Sequence, residues 1–470
     1  MHWIRPLLCL FLAIASISAR AATTVSTFDV ARMDRAFDAL ESNERLRGSV
    51  SVTRDGEVVY SRAFGLRDGR TKNDAATMFR IGSITKVFTA ALIYQLIDEK
   101  KIALSTPLSI FFPKIPNAQR ITIAHLLAHS SGLPNYPSPA DYADPKGWLA
   151  HPQTKVQMVE RFAAMKPGFA PGEKVAYSNA NYALLGYIIE SVTRSAYEKQ
   201  LSKRITRPLG LRRTRFGGSV NPAKNEAPSY TFDDGKWTRH SEEDLSISAG
   251  AGAIVSTPGD LARFITALFG DRLISRKSVQ EMITPLSPAL EGAERKGVVV
   301  STLRRGLDKT IYSHLGGIDA FSSNLVYFPE DRVAIAITLN GQNYPMGRLF
   351  WLLVEGYYGR LTATPSFDAI KLPPETMNRY TGVYSLAAIG MDITVTRDGE
   401  QLRAQATGQD SFAIEAIVAP SERFDVLFWD RSGILIEFRC GADDSCSSMT
   451  LHQGRGVTNF VRKPKEQPHG

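Results

Sequence analysis

The first pattern along the chain is an apolar stripe at helical spacing. Val30, Met33, Phe37 and Leu40 recur every three to four residues, which predicts an amphipathic helix with these side chains on one face. Alternating segments follow and predict two strands. The dipeptide Asp55-Gly56 between them accepts a positive φ, so the strands are expected to form a hairpin, Ser49–Thr53 and Val58–Phe64.

A second hairpin is predicted near residue 330. It runs from Asn324 through a turn at Pro329–Asp331 and back along Val333–Asn340, and an apolar helix at Met346–Tyr358 follows it. The simplest assembly is an antiparallel sheet flanked by the terminal helices, with an all-helical insert between the hairpins. The predicted fold class is therefore α/β, of the α+β sandwich kind, over residues 27–360.

The pattern changes in the last fifth of the chain. From about Thr376 it becomes a succession of short alternating strands, which predicts a small antiparallel β-barrel domain over residues 375–465. The proline-containing segment 361–374 before it is predicted to be a linker. The predicted strands include Met391–Thr396, Ala413–Val418, Phe424–Trp429 and Gly433–Arg439.

Residues 1–21 have the features of a secretory signal. A cation at Arg5 precedes an apolar run, and Ala19-Arg20-Ala21 has the small-x-small form of a cleavage site. A membrane anchor is the alternative, but the run is shorter than the roughly 18 residues that a span requires. We expect cleavage before Ala22 and a mature protein, without a transmembrane segment, that is periplasmic or secreted.

Charge and cysteine content narrow the function classes. Loss of Arg5 and Arg20 with the signal lowers the formal net charge from +9 to +7, and the basic residues are scattered, so nucleic acid is not an expected partner. Cys9 leaves with the signal. Cys440 and Cys446 remain and are expected to form a disulfide that closes a hairpin, with two free thiols as the alternative. Neither a metal nor another cofactor is expected.

The first candidate for catalysis is Ser83. Ser83-Ile84-Thr85-Lys86 is the only Ser-x-x-Lys in the chain, and it begins an apolar helix. Residues three apart are neighbours on a helix, so the amine of Lys86 can reach the hydroxyl of Ser83. Such help is needed because a free serine hydroxyl is a weak nucleophile at neutral pH. A capping serine beside a solvated lysine is the alternative.

Two further motifs follow the first one along the chain. Tyr177-Ser178-Asn179 is the only Tyr-x-Asn in the sequence. A phenol beside an ammonium loses its proton more readily than an isolated phenol, which would suit Tyr177 to relay a proton.

The third motif is His314-Leu315-Gly316-Gly317, expected at the end of a strand over Thr310–Ser313. Its glycines let a ligand approach the backbone, and the Gly317 amide can point at an oxyanion. His-x-Gly recurs at His452, so this motif is the least specific.

Ser83, Tyr177 and His314 occur in the order and approximate spacing of the three active-site motifs of the penicillin-recognising serine hydrolases. The chain resembles the branch that contains class C β-lactamases, DD-carboxypeptidases, D-aminopeptidases and family VIII esterases, over about residues 30–360. The segment ITIAHLLAHSSGLP, which ends at Pro134, is also similar to this branch. Residues 376–465 resemble the lipocalin-like β-domain that is often appended to such enzymes.

The resemblance implies a role for each motif. Ser83 would be acylated, Lys86 and Tyr177 would share the general-base role, and Asn179 would orient Lys86 and the substrate. The amides of Ser83 and Gly317 would form the oxyanion hole. The expected activity is hydrolysis of an amide or ester through an acyl-serine intermediate.

His314 departs from the pattern of many β-lactamases and carboxypeptidases, which place a lysine there to attract the substrate carboxylate. A histidine is mostly neutral at neutral pH, so esters or amino-terminal D-peptides are favoured as substrates over DD-carboxypeptidase or true β-lactamase substrates. A non-catalytic penicillin-binding or envelope sensor module is the alternative from another class. His125 and His129, four residues apart, could bind a metal, but packing or loop anchoring is favoured.

Overall fold

The computed structural model describes residues 28–464, apart from 145–146, 234, 291–294, 305, 362–363, 388–389, 418–426, 430–433, 442–445 and 454–455. The signal predicted over residues 1–21 lies outside the described residues. No helix in the described part of the chain combines the length and the apolar character needed to cross a bilayer.

Most α-helices of the described residues lie between residues 81 and 298, and the first one and the last two lie outside this part of the chain. In chain order they are α1 Val30–Ser42, α2 Thr85–Asp98, α3 Ile123–Leu127, α4 Lys155–Ala163, α5 Asn179–Thr193, α6 Tyr197–Leu201, α7 Arg207–Leu209, α8 Leu245–Ser248, α9 Pro258–Phe269, α10 Arg276–Ile283, α11 Met346–Tyr357 and α12 Pro374–Tyr380.

The strands fall into two groups. Those before residue 343 are β1 Leu46–Arg54, β2 Glu57–Phe64, β3 Phe79–Arg80, β4 Arg215–Phe216, β5 Tyr230–Asp233, β6 Lys236–Arg239, β7 Ile254–Ser256, β8 Val299–Leu303, β9 Lys309–Ile318, β10 Phe321–Phe328 and β11 Val333–Gln342. Those after it are β12 Gly382–Leu386, β13 Met391–Asp398, β14 Gln401–Ala406, β15 Phe412–Ile417, β16 Leu427–Trp429, β17 Leu435–Cys440, β18 Cys446–Gln453 and β19 Gly456–Arg462.

A six-stranded antiparallel sheet, in the order β2-β1-β11-β10-β9-β8, forms the centre of the part of the chain that precedes the barrel strands, called the larger unit below. Its two faces bury different partners because side chains alternate along a strand. In β11, Ala334 and Ala336 face the core that contains α2 and α9, whereas Ile335 and Ile337 face the core that contains α1 and α11. This sandwich confirms the predicted fold class.

The predicted hairpins and terminal helices are present, with small differences. Asp55 and Gly56 both have positive φ, as a tight turn between β1 and β2 requires. In α1, Met33, Phe37 and Leu40 are buried, but Val30 is 46% exposed because it occupies the first helical position, at the edge of the core. Val30 therefore belongs to the predicted helix but is not covered by the core.

The insert between the hairpins is mostly helical, but it also contains two short sheets, β3-β7-β4 and β5-β6. Its central helix, α2, is buried on nearly every side from Thr85 to Tyr94, rather than along a single apolar face. A helix that is apolar all round belongs in the middle of a core. The start of α2, which carries Lys86, is therefore held by packing from all directions.

The second group of strands, β12 to β19, closes into an antiparallel barrel, as the resemblance to a lipocalin-like domain implied. Its interior is filled by side chains, among them Tyr380, Tyr384, Phe428, Phe438 and Phe460. The structure joins Cys440 to Cys446 by a disulfide at the adjacent ends of β17 and β18.

The barrel contacts the larger unit directly. The guanidinium of Arg348 on α11, which is 2% exposed, forms an ion pair with Glu437 on β17, and His452 Nε2 lies 3.0 Å from the same carboxylate. The hydrogen bond with His452 and the charge of Arg348 hold the pKa of Glu437 at about 2 in spite of its burial. Ile417 and Leu435 of the barrel share a hydrophobic core with α1 and α11.

Candidate active site

Ser83 lies in a single 3₁₀ turn, Gly82–Ile84, that leads from β3 into α2. Gly82 has φ +50°, and a Cβ atom there would lie 2.7 Å from the backbone nitrogen of Gly317 on β9. Only glycine combines this conformation with so close an approach. The turn therefore places the nucleophile candidate directly beside the strand that carries the third motif.

Lys86 is buried, and its ammonium nitrogen has three oxygen neighbours. Nζ donates to Ser83 Oγ at 2.9 Å, to Asn179 Oδ1 at 2.8 Å and to the carbonyl oxygen of Ala251 at 2.8 Å. Two of these acceptors cannot donate, and three acceptors match the three protons of an ammonium group. The geometry therefore fits a charged lysine that is fixed in one position.

Tyr177 contacts the same hydroxyl as Lys86. Its Oη lies 2.6 Å from Ser83 Oγ, and Lys86 Nζ lies 4.9 Å from the centre of its ring. The structure thus brings together the first two motifs, which are 94 residues apart in the sequence. Both a cation and a phenol contact the oxygen that would have to lose a proton.

Asn179 is the first residue of α5 and is held at both ends of its amide. Oδ1 accepts from Lys86, and Nδ2 donates to the carbonyl of Tyr136 at 2.7 Å. This arrangement orients the lysine and leaves the amide nitrogen engaged with the protein. The predicted orienting role of Asn179 rests on its contact with Lys86, and Asn179 also lines the cavity in front of Ser83.

The two histidines of the segment before Pro134 have different structural roles: His125 caps the start of its own helix, α3, whereas His129 anchors the segment that contains Tyr177. His125 Nδ1 accepts from the amide of Thr122, and His129 Nδ1 accepts from the amide of Ser178 at 3.1 Å. The ring of His129 also stacks on Tyr177, with ring centres 4.5 Å apart. Burial and the charge of Lys86 lower the pKa of His129 well below 6.5, so the ring is a neutral acceptor.

The third motif lies inside β9 rather than after the end of a strand, since β9 continues to Ile318. Gly316 faces the nucleophile turn, and a Cβ atom there would lie 2.0 Å from the carbonyl oxygen of Ile81. Ser323 Oγ donates to that same carbonyl at 2.9 Å. The strand packs on the backbone just before Ser83, which is why it needs glycine at this position.

We expect Gly316→Ala to be destabilising and Gly317→Ala to be tolerated. A methyl group at 316 forces β9 away from Ile81, whereas a methyl group at 317 has its nearest neighbour at 3.9 Å. Overpacking of this kind costs about 1–3 kcal/mol. Urea denaturation of both variants should show a lower free energy of unfolding for Gly316→Ala. Equal stability of the two variants would contradict this packing.

His314 is buried next to the site and is neutral. Burial and the charge of Lys86 lower its pKa to about 4, and its Nδ1 lies 2.6 Å from the carbonyl oxygen of Leu315. It is not among the described residues that line the cavity in front of Ser83. A neutral, buried imidazole brings no positive charge to a substrate carboxylate at neutral pH.

The low pKa of His314 predicts an acid-sensitive stability. The folded-state pKa of His314, about 4, lies below the usual value of 6.5, so the folded protein favours the neutral ring more than the unfolded chain does. The resulting contribution to the free energy of unfolding is complete above pH 6.5 and is lost as the pH falls toward 4. The shift corresponds to about 3 kcal/mol. The free energy of unfolding should therefore fall less between pH 7 and pH 4.5 in His314→Gln than in the unchanged protein. Identical losses would show that His314 is not the group responsible.

Sequence reasoning missed several residues at the site. The carbonyl of Ala251 has no side-chain signal, and Glu243 lies in no motif, yet Glu243 lines the cavity in front of Ser83. The other described lining residues are Tyr136, Pro137, Tyr142, Asn179, Ile247, Ser248, Ala251, Gly252, Gly317 and Ile318. His129 is the exception, because the sequence analysis already favoured packing or loop anchoring for it.

An antiparallel sheet between helical layers, with a serine next to a lysine and a tyrosine at the start of a buried helix, defines a class of serine hydrolases. The model of the Beta-lactamase family matches residues 33–354, and the chain belongs to this family. The family assignment confirms the resemblance deduced from the sequence motifs.

Comparisons with individual proteins agree. The chain is 26% identical to a penicillin-binding protein of Bacillus subtilis over 91% of this chain and 97% of that protein. It is 30% identical to the teichoic acid D-alanine hydrolase of Staphylococcus aureus over 53% of this chain, but spans only 60% of that protein's length. A solved structure of a D-stereospecific amidohydrolase from Streptomyces sp. is also similar, with a TM-score of 0.58 and 27% identity over 69% of this chain and 98% of that one.

Proposed function

We propose that this protein is an exported serine hydrolase that cleaves an ester or amide bond of a D-amino acid derivative through an acyl-Ser83 intermediate. The observation that carries the proposal is the contact of Ser83 Oγ with both Lys86 Nζ, at 2.9 Å, and Tyr177 Oη, at 2.6 Å. A nucleophile within hydrogen-bond reach of a base and an orienting charge is the arrangement that covalent catalysis requires.

The contacts support different shares of the proton transfer for Lys86 and Tyr177. Lys86 already donates to three oxygens, so as an ammonium it cannot take another proton. Tyr177, as a phenolate stabilised by that ammonium, would accept the proton of Ser83 as Oγ forms its bond to the substrate carbonyl carbon. Lys86 would then act mainly through its charge, and the general-base role shared in the sequence prediction falls chiefly to Tyr177.

The rest of the cycle follows from the same groups. The amides of Ser83 and Gly317 would donate to the negative oxygen of the tetrahedral intermediate. Its collapse breaks the bond to the leaving group, which takes the proton held by Tyr177. Water then attacks the acyl-serine, gives its proton to Tyr177, and Ser83 regains a proton as the acid product leaves.

Two similar proteins and the neutral state of His314 support the proposed substrate class. One relative is a teichoic acid D-alanine hydrolase and one similar solved structure is a D-stereospecific amidohydrolase, which supports an acyl group of D configuration. The neutral state of His314 favours such substrates over those of a DD-carboxypeptidase or a true β-lactamase, which carry a carboxylate. A non-catalytic binding module would not need the contacts that Ser83 makes.

Export is supported by the sequence of residues 1–21 and by the Cys440–Cys446 disulfide, because disulfides persist in oxidising compartments. Periplasmic or secreted location is the proposal that follows.

The test is intact-mass spectrometry with a fluorophosphonate, followed by hydrolysis assays with D- and L-alanine methyl esters and a penicillin. We expect one covalent adduct, mapped to the peptide that contains Ser83, and faster hydrolysis of the D-ester than of the L-ester. A penicillin turned over faster than either ester would favour the β-lactamase alternative. Folded protein that reacts with none of the probes would favour the binding module.

A further inference from the structure

The two amides of the proposed oxyanion hole come from segments that are far apart in the sequence. Ser83 lies in the turn between β3 and α2, and Gly317 lies in β9. Both donors have to lie within about 2.7–3.1 Å of the oxygen that becomes negative. A misplacement of about 1 Å at a reacting centre can cost about 10²-fold in rate. The position of β9 relative to the turn at Ser83 therefore has to be fixed by contacts between these two segments.

A buried ion pair connects the two segments. Arg80 Nη1 donates to Asp319 Oδ2 at 2.7 Å, and the two residues are 2% and 0% exposed. Arg80 lies in β3, three residues before Ser83. Asp319 lies two residues after Gly317, in the turn from β9 to β10. The pair thus joins the strand that leads to the nucleophile to the end of the strand that carries the candidate oxyanion amide.

Neighbouring backbone groups hold both members of the pair in one orientation. The amide of Glu243 donates to Asp319 Oδ1 at 2.8 Å, and the carbonyl of Glu243 accepts from Arg80 Nη1 at 2.9 Å. Arg80 Nη2 donates to the carbonyl of Gly218 at 2.9 Å and to Glu242 Oε2 at 3.2 Å. A planar guanidinium that meets acceptors in several fixed directions has little freedom to move. The contact between Arg80 and Asp319 is therefore a rigid link.

This link is not explained by stability alone. Burial raises the pKa of the Asp319 carboxyl above its usual value in spite of the charge of Arg80, so desolvation outweighs the attraction. An apolar pair of similar size often stabilises a core as well as a buried ion pair or better. What the charged pair adds is direction, because charge-assisted hydrogen bonds fix the distance between the segments that carry them.

We propose that Arg80 and Asp319 are positioning residues, whose contact holds the amide of Gly317 beside Ser83 in the geometry that stabilises the tetrahedral intermediate. This inference rests on the proposed function and extends it to a second layer of residues. Neither Arg80 nor Asp319 is among the described residues that line the cavity in front of Ser83, so both act through the backbone that they hold. An interaction that matters only in the transition state changes kcat rather than KM.

The first test is the kinetics of Asp319→Asn, which removes the charge at nearly constant size. We expect kcat for D-alanine methyl ester to fall by about 10²-fold, with KM within about threefold of the unchanged value. Glu437→Gln is the matched control, since Glu437 is the acidic partner of another buried arginine, Arg348, at the contact with the barrel. It should lower the melting temperature but keep kcat within about threefold.

Arg80→Lys is the second variant and decides the question if Asp319→Asn does not fold. Lysine keeps the positive charge beside Asp319 but lacks the planar fork that also reaches the carbonyls of Gly218 and Glu243. We expect a loss of about tenfold in kcat, again with little change in KM. A loss in kcat no larger than that of Glu437→Gln, or a change in KM alone, would overturn the inference.

Hydrogen exchange measured by mass spectrometry separates this inference from the proposed hydrolysis. In the folded protein, the peptide that covers residues 314–322 should exchange faster in Asp319→Asn or Arg80→Lys than in the unchanged protein, and Glu437→Gln should leave its exchange unchanged. Unchanged exchange of this peptide in the first two variants would overturn the inference. If the unchanged protein shows neither turnover nor an adduct but the exchange difference is present, the hydrolysis is overturned and the positioning of β9 by the pair stands.

Discussion

Replacing Ser83 by alanine is expected to lower kcat/KM for the preferred ester by about 10⁵-fold and to remove the fluorophosphonate adduct. The variant keeps Lys86, Tyr177 and the glycines of β9 but has no oxygen to form the acyl bond, and loss of a serine nucleophile has effects of this size. Because the removed hydroxyl is small, the fold should be retained. Steady-state kinetics, intact mass and thermal unfolding measure the three quantities.

Ser248→Ala is the matched control for Ser83→Ala. Ser248 lines the same cavity, and its hydroxyl donates to the carbonyl of Leu245 at 3.4 Å, away from the lysine and the tyrosine. We expect this variant to keep the adduct and to lose less than about tenfold in kcat/KM, as is usual for a side chain that only contacts the substrate. If the Ser83→Ala variant still forms the adduct, Ser83 is not the nucleophile.

Replacing Lys86 by methionine is expected to slow acylation of Ser83 by at least about 10³-fold. The loss combines the missing stabilisation of the Tyr177 phenolate with loss of the hydrogen bond that fixes Ser83 Oγ, and general acid–base and electrostatic contributions are each worth about 10²–10³-fold. Methionine has a similar length and no charge. The carbonyl of Ala251 loses a donor at a cost of about 1–3 kcal/mol, so a lower melting temperature is also expected.

Lys296→Met separates the catalytic effect from the effect of removing a buried cation. Lys296 is 3% exposed, and burial lowers its pKa. Its Nζ donates at 2.8 Å to the carbonyl of Thr284, the residue that follows the end of α10, and does not contact Ser83. This variant should lose stability but retain its acylation rate, measured by rapid mixing with the fluorophosphonate. Acylation of Lys86→Met within about tenfold of the unchanged rate would mean that Tyr177 needs no neighbouring cation.

Local patterns determined much of the architecture. The Asp55-Gly56 turn and the alternation along β1, β2, β10 and β11 predicted both hairpins, since turn chemistry and strand period act over a few residues. The Ser-x-x-Lys spacing predicted the contact between Ser83 and Lys86, because that contact lies within one helical turn. The contact between Tyr177 and Ser83 was expected only through the resemblance to a family.

The structure adds to the sequence patterns where burial depends on distant segments. Val30 has the right helical spacing but lies at the margin of the core, and α2 is packed on nearly all sides because the insert surrounds it. The strand β9 runs through the third motif because residues 314–317 pair with β10. Periodicity describes one element at a time and does not specify how many neighbours cover it.

The sequence by itself therefore determined the hairpins, the terminal helices, the succession of barrel strands and the helical pair of nucleophile and lysine. Only the tertiary structure decided that His314 is buried and neutral, that the Ala251 carbonyl holds Lys86, and that Glu243 lines the cavity in front of Ser83. The physical reason is the distance along the chain between the residues that interact. Turns and helical neighbours are set by bonds along the chain, whereas desolvation and the pairing of charges depend on segments that meet only when the protein folds.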